Sequence, residues 1–264
     1  MKKLFAIILL LPFISCIEDD NAAENITDTN SFLEATQNER WVISKFVEEG
    51  RDLTTNYLGS TFLFAEERKL TVENGSEFSQ GSWRIERDEN ISELYLQFVN
   101  NRLLEELNED WEIVEFSSSR ISLIEADDTE IDTLIFVRAG AVENNTNATI
   151  IQAKALADKI QDQSFSIVKV TDDREDYTQA MKDIELSFGK NRSLQLKQGN
   201  QILALGIWLI GTENNEVVLE LDLSDNRFAE YVDEEWKLLE INGIEIRFEE
   251  ADGNDKDLLT IRQK

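Results

Sequence analysis

Two glutamates in this 264-residue chain stand where a carboxyl could do chemistry. Glu115 follows Trp111 by four residues and Glu240 follows Trp236 by four, so strict alternation along a strand turns each carboxyl to the same face as an apolar ring. Burial would raise its pKa and make it a candidate acid. The alternative is a carboxylate at the rim of a barrel, meeting water or a basic side chain such as Arg138 or Arg262. Carboxylates also gather at 125–132 (EADDTEID) and 249–257 (EEADGNDKD), as they do around calcium. Neither stretch keeps the twelve-residue EF-hand spacing, and Asp, Asn and Gly are what a hairpin turn needs there. Histidine is absent, which removes the usual neutral-pH base and most triad and zinc chemistry. No nucleophile, base and orienting group assemble from what remains. We therefore assign no catalytic, metal-binding or cofactor-binding residue, leave any ligand-binding residues unknown, and expect a protein that is not an enzyme; a carboxylate-based hydrolase is the weakest reading.

The elements that must position these residues occur twice. A shift of 125 residues carries Trp83 onto Trp208 and Trp111 onto Trp236, and lays GSWRIERD (81–88) on GIWLIGTE (206–213). The same shift lays ELYLQF (93–98) on VLELDL (218–223) and EDWEIVEF (109–116) on EEWKLLEI (234–241). Upstream the shift is 124, placing TFLFAEERKLTV (61–72) on ELSFGKNRSLQL (185–196) and Trp41 on Phe165. Within each copy apolar residues alternate with polar ones between Gly, Asn and Asp, the period of antiparallel strands. In the first copy strands are expected near 41–48, 60–66, 69–74, 77–87, 92–99, 109–116, 120–126 and 132–138. Asn74-Gly75, Gly199-Asn200 and Asn242-Gly243 mark hairpins, the first by the Asn-Gly pair favoured in type I′ turns. A meander of eight strands removes its edges by closing into a barrel. The fold class expected is all-β, two tandem small eight-stranded up-and-down β-barrels joined by a short helix at NATIIQAKALADKIQDQ (147–163), whose composition and apolar spacing are helical. NSFLEATQNER (30–40) could start a similar helix, with Asn30 or Ser31 as cap and Glu34 completing a capping box.

The start MKKLFAIILLLPFISC has two lysines, an apolar run too short to span a bilayer, and a small residue before Cys16, the layout of a secretory signal. As the only cysteine, Cys16 also excludes an intramolecular disulfide. FISC resembles the lipobox of bacterial lipoproteins, which implies lipidation of Cys16, and the following IEDD resembles the surface-export signal of Bacteroidetes-type bacteria. Acidic residues outnumber basic ones 54 to 26 and the net charge is −28, which argues against nucleic acid as a partner.

An opening aromatic strand is followed by Phe62 and Phe64, by Gly81, Trp83 and Ile85, by Leu94 to Phe98, and by Ile121 and Leu123. This order resembles the lipocalin-like domains of Bacteroidetes-type lipoproteins, and implies small barrels of unassigned activity. Lipocalins place G-x-W on the first strand and Arg on the last. Here Trp41 lacks the glycine and Phe165 replaces the tryptophan, whereas Arg138 and Arg262 stand at matching strand ends, where a guanidinium could cap the opening ring. The divisions expected are a signal peptide (1–15), an acidic lipoprotein tether (16–38), a first lipocalin-like barrel (39–140), a helical linker (141–163) and a second barrel (164–264). The expected function is that of a cell-envelope lipoprotein, anchored in the outer membrane through Cys16 and, as the resemblance of IEDD to an export signal implies, exposed at the cell surface. Two tasks stay open. An eight-stranded barrel is wide enough to hold one small apolar ligand or to be filled by side chains; filled barrels would instead meet an envelope protein or polysaccharide through the outer surface.

Overall fold

A computed structural model of the chain describes residues 29–88, 91–126, 131–141, 147–251 and 256–264. Cys16, residues 1–15 expected to form a signal peptide, and residues 127–130 and 252–255 of the two acidic stretches lie outside the described residues. The N-terminal half begins with helix α1 (Thr29–Thr36), within the stretch read as tether. It continues through β1 (Trp41–Glu48), β2 (Arg51–Asp52), β3 (Ser60–Ala65), β4 (Lys69–Asn74), β5 (Glu77–Asp88) and β6 (Ile91–Phe98). A short helix α2 (Arg102–Glu105) precedes β7 (Asp110–Phe116), β8 (Arg120–Ala126) and β9 (Ile131–Arg138). Helix α3 (Ala148–Ile160) opens the C-terminal half, which runs through β10 (Gln163–Asp172), β11 (Glu175–Asp176), β12 (Ile184–Phe188), β13 (Ser193–Gln198), β14 (Gln201–Glu213), β15 (Glu216–Leu223), β16 (Glu235–Asn242), β17 (Glu245–Glu250) and β18 (Leu258–Gln263).

The chain is all-β with a closed eight-stranded antiparallel barrel. β12 to β18 pair in sequence, and β10 closes the ring by pairing with both β12 and β18. Residues 41–138 follow the same order: β3 to β9 pair in sequence, and β1 lies along β9 and meets β3 at Trp41 and Phe62. The repetition extends to individual bonds. Trp111 Nε1 donates to the Leu107 carbonyl at 3.1 Å and Trp236 Nε1 to the Val232 carbonyl at 3.0 Å. The amides of Thr54 and Thr178 donate to Asp52 and Asp176, at 3.0 and 2.9 Å.

Alternation places the apolar residues as expected. All five tryptophans are at most 2% exposed, and the buried apolar side chains fall into two clusters, one for each half. In the first, Phe32 of α1 packs its ring 5.2 Å from Phe64, 5.0 Å from Trp83 and 5.5 Å from Phe116. At the other end of β7, Trp111 meets Phe46, which meets Tyr57 edge to face. The helix α3, capped by Asn147 accepting from the Thr149 amide, places Leu156 and Ile160 in the second cluster. The shift of 124 carries Phe32 onto Leu156, so the repeat includes the helix in front of each set of strands.

Gly199-Asn200 joins β13 to β14 as expected, and the other two marked turns differ from expectation by one residue. Asn74 pairs with Glu77, so Gly75 and Ser76 are the central residues, and only Gly75 has positive φ, at 61°. That is the glycine-first pattern of a type II′ turn. Gly243 (φ 57°) followed by Ile244 follows it too, because a β-branched residue cannot readily take the second positive φ of type I′. Asn214-Asn215, with φ of 50° and 65°, has the type I′ signature, as do Glu49-Gly50 and Asp173-Arg174 at the equivalent turns of the two halves.

Candidate functional site

The glutamates do not turn inward. A bulge between Ile113 and Glu115 adds Val114 to β7, and an equivalent one between Leu238 and Glu240 adds Leu239 to β16. One extra residue reverses the alternation, so both carboxylates leave the tryptophan face and are exposed. Glu115 pairs with Arg120 at 3.0 Å and Glu240 with Arg247 at 3.5 Å, in place of the expected Arg138 and Arg262. Arg138 pairs instead with Glu39 and Arg262 with Glu245, at 3.1 and 2.5 Å. Among the described residues the guanidinium that covers a tryptophan is that of Arg192, 4.0 Å from the Trp208 ring. Among the described residues no group of three or more carboxylates is arranged to hold a metal ion.

The most elaborate polar arrangement is the seam between the halves, which strand alternation within either half does not mark. GSWRIERD alternates, but GIWLIG is apolar on both faces, the pattern of a strand covered on both sides. Trp208 and Ile210 point into their own cluster, while Ile207 and Leu209, on the outer face of β14, pack into the cluster of the N-terminal half. Asn56, 3% exposed, accepts from the Ile210 amide at 2.9 Å and donates to the Ile210 carbonyl at 3.1 Å, so its side chain serves as one more strand residue beside β14. The backbone completes this edge where Asp52 of β2 pairs with Thr212.

Arginines clasp the seam from both sides. Arg51 reaches Glu220 at 2.9 Å and Glu235 at 2.5 Å, and Arg102 pairs with Asp222. In return Arg192 donates from Nη2 to the Thr55 carbonyl at 3.1 Å. Burial pushes the Arg192 guanidinium down to about 10, still charged at neutral pH. A polar cleft of about 190 Å³ opens at the seam, lined among others by Asn56, Leu103, Gln161 and Arg192.

Carboxylates at this end are held partly out of water. Burial, followed by repulsion from Glu106, Asp132, Glu49 and Glu109, pushes Glu48 up to about 8. Burial also raises Glu106 and Glu220. For Glu48 the native state keeps its proton over a window in which the unfolded chain, titrating near 4.5, has lost it. Stability must then fall as pH rises from about 4.5 to about 8, and level off above. Glu48→Gln should flatten this decline, and its urea midpoint should exceed that of the wild type most at about pH 9. Parallel curves from about pH 5 to about pH 9 would show that Glu48 is not the titrating group. Among the described residues no helix is long and apolar enough to cross a membrane. Comparison of the chain with family models, curated proteins and solved structures finds no match.

Proposed function

We propose that the protein is a non-enzymatic cell-envelope lipoprotein, built of two tandem lipocalin-like barrels and anchored through Cys16, that acts by holding a macromolecular partner against its acidic outer surface. The observation that carries this reading is the packing of rings inside both halves, with every tryptophan buried against other side chains. Edge-to-face rings such as Phe64 on Trp83 and Phe188 on Trp208 occupy the space a small apolar ligand would need. The reading of two barrels rests on the shared strand order, the equivalent hydrogen bonds and the helix in front of each half.

Two measurements test it. Native mass spectrometry of the protein isolated gently from its host should give the mass of the acylated chain alone; a co-purified lipid or other small ligand would favour a carrier instead. Cys16→Ala should move the protein from the membrane to the soluble fraction, because stable anchorage needs more than one acyl chain or a second membrane signal. Retention of the variant in the membrane fraction would place the anchor elsewhere.

A further inference from the structure

The strongest unexplained surface is the end of the C-terminal half that corresponds to the covered end of the N-terminal half. The shifts of 124 and 125 carry Leu53 onto Tyr177, Tyr57 onto Met181, Leu103 onto Phe228 and Glu106 onto Tyr231. The loops that present them are built alike. The Leu53 amide donates to the Phe46 carbonyl at 2.8 Å and the Tyr177 amide to the Val170 carbonyl at 3.1 Å. The Phe98 amide donates to Asn108 and the Leu223 amide to Asp233, at 2.6 and 2.7 Å. In the N-terminal half this end is buried, Leu53 and Leu103 included, under the outer face of β14. In the C-terminal half Tyr177, Phe228 and Tyr231 are only half-buried, and the rings of Tyr177 and Tyr231 stack at 4.2 Å.

We propose that Tyr177, Phe228 and Tyr231 form a docking surface for a partner protein, which presents the outer face of a β-sheet carrying an apolar stripe flanked by basic side chains. The proposal rests on the reading of the halves as copies of one module. The sheet face follows from the occupied equivalent, where Ile207, Leu209 and the bare backbone of Gly211 lie against Leu53 and its neighbours. The basic flank follows from charge. Arg51, which grips two carboxylates of β15 and β16, is replaced by Glu175, and Glu175, Asp172 and Glu230 stand around the tyrosines, outnumbering Arg227 over the Phe228 ring. A partner that mirrors β15 and β16 must therefore carry lysine or arginine where they carry Glu220 and Glu235.

A second copy of this chain does not fit. Its β14 face is already covered, and the corresponding face of β5 shows Ser82, Arg84 over the Tyr95 ring, and Glu86. A contact joining one end of a module to the side of the next is heterologous and would otherwise propagate into filaments. The polar β5 stops it after two modules.

The stop supplies the test. In the full chain, Ser82→Ile, Arg84→Leu and Glu86→Gly copy Ile207, Leu209 and Gly211 onto β5, and Asp110→Lys sets a cation where Glu235 stands in β16. This variant should form head-to-tail oligomers whose sedimentation rises with concentration in the micromolar range, about 1 to 100 µM. Adding Tyr177→Glu should return it to monomers. A monomer at about 100 µM, or oligomers indifferent to Tyr177→Glu, would overturn the proposal. Should the fourfold variant lose cooperative unfolding, Ser82→Ile, Arg84→Leu and Glu86→Gly with Glu175→Arg restore the Arg51 polarity and test the same contact. A photo-crosslinker at position 177 of the wild-type chain in its host gives the native arm. It should label a strand with alternating apolar residues and nearby Lys or Arg, on a different protein. Labelling of a helix, an acidic segment or a glycan, or of nothing, removes this surface. Crosslinks from other acidic positions would in that event leave the parent reading standing.

Discussion

Replacing Gly211 by glutamate, the residue at the equivalent position 86, should split the unfolding of the chain from one transition into two. Gly211 is buried under Arg51 and Leu53. A Cβ there would overlap Arg51 Cδ and stand 2.5 Å from Arg51 Cγ and 3.2 Å from Leu53 Cδ2. The arginine stem must move, and its guanidinium then leaves Glu220 and Glu235, which face each other with a third carboxylate beside them. Overpacking costs about 1–3 kcal/mol, and loss of a half-buried ion pair adds about 1 kcal/mol after allowance for solvent. The total of about 3 kcal/mol falls on the seam and on neither core, so the halves lose their coupling and keep their folds. Urea titration followed by tryptophan fluorescence should show one steep transition for the wild type. The variant should show two shallower ones, since the slope scales with the surface exposed in each step. A single transition of unchanged slope in the variant would mean that the seam does not couple the halves. Arg51→Met separates the two contributions, because it removes the charge and keeps the stem.

Strand positions were legible in the sequence because their causes are local. Alternation in KLTVEN and RISLIEA sets a strand wherever the chain folds, and β4 and β8 begin and end where that pattern does. The same reasoning misplaced Glu115 and Glu240, because no residue type marks Val114 or Leu239 as the extra member of a bulge. The seam lies between these cases. Its apolar half is written in GIWLIG, where Ile207, Leu209 and Gly211 stand in place of Ser82, Arg84 and Glu86. Its polar half is not. Nothing near Asn56 announces that its amide will bond the backbone of a strand 154 residues away. The uncovered end is visible only by subtraction, once the covered one has been seen.

The glycine of the repeated G-x-W leads to the sharpest stability prediction. Gly206 pairs across the sheet with Leu223, and the strands approach so closely that a Cβ on Gly206 would overlap the Asp222 carbonyl oxygen. It would also stand 2.8 Å from the Asp222 carbonyl carbon and 2.9 Å from Leu223 Cα. These are backbone atoms in the middle of a ladder, and no side-chain rotation relieves them. Gly206→Ala should therefore force β14 away from β15 next to Trp208, at a cost of about 3 kcal/mol or more, the upper end of what overpacking produces. At Gly81 the nearest obstacles are Phe98 Cδ1 at 2.5 Å and the Gln97 carbonyl oxygen at 2.6 Å. A ring can turn and a carbonyl at that distance needs a smaller shift, so Gly81→Ala should cost about 2 kcal/mol. The urea midpoints should rank wild type above Gly81→Ala above Gly206→Ala, with hydrogen exchange accelerated along the β5–β6 pair in one variant and the β14–β15 pair in the other. Equal midpoints would mean that the sheet yields at both places alike. An unchanged midpoint for Gly206→Ala would show that the glycine is not there to let the strands approach, and would leave the G-x-W repeat without its physical cause.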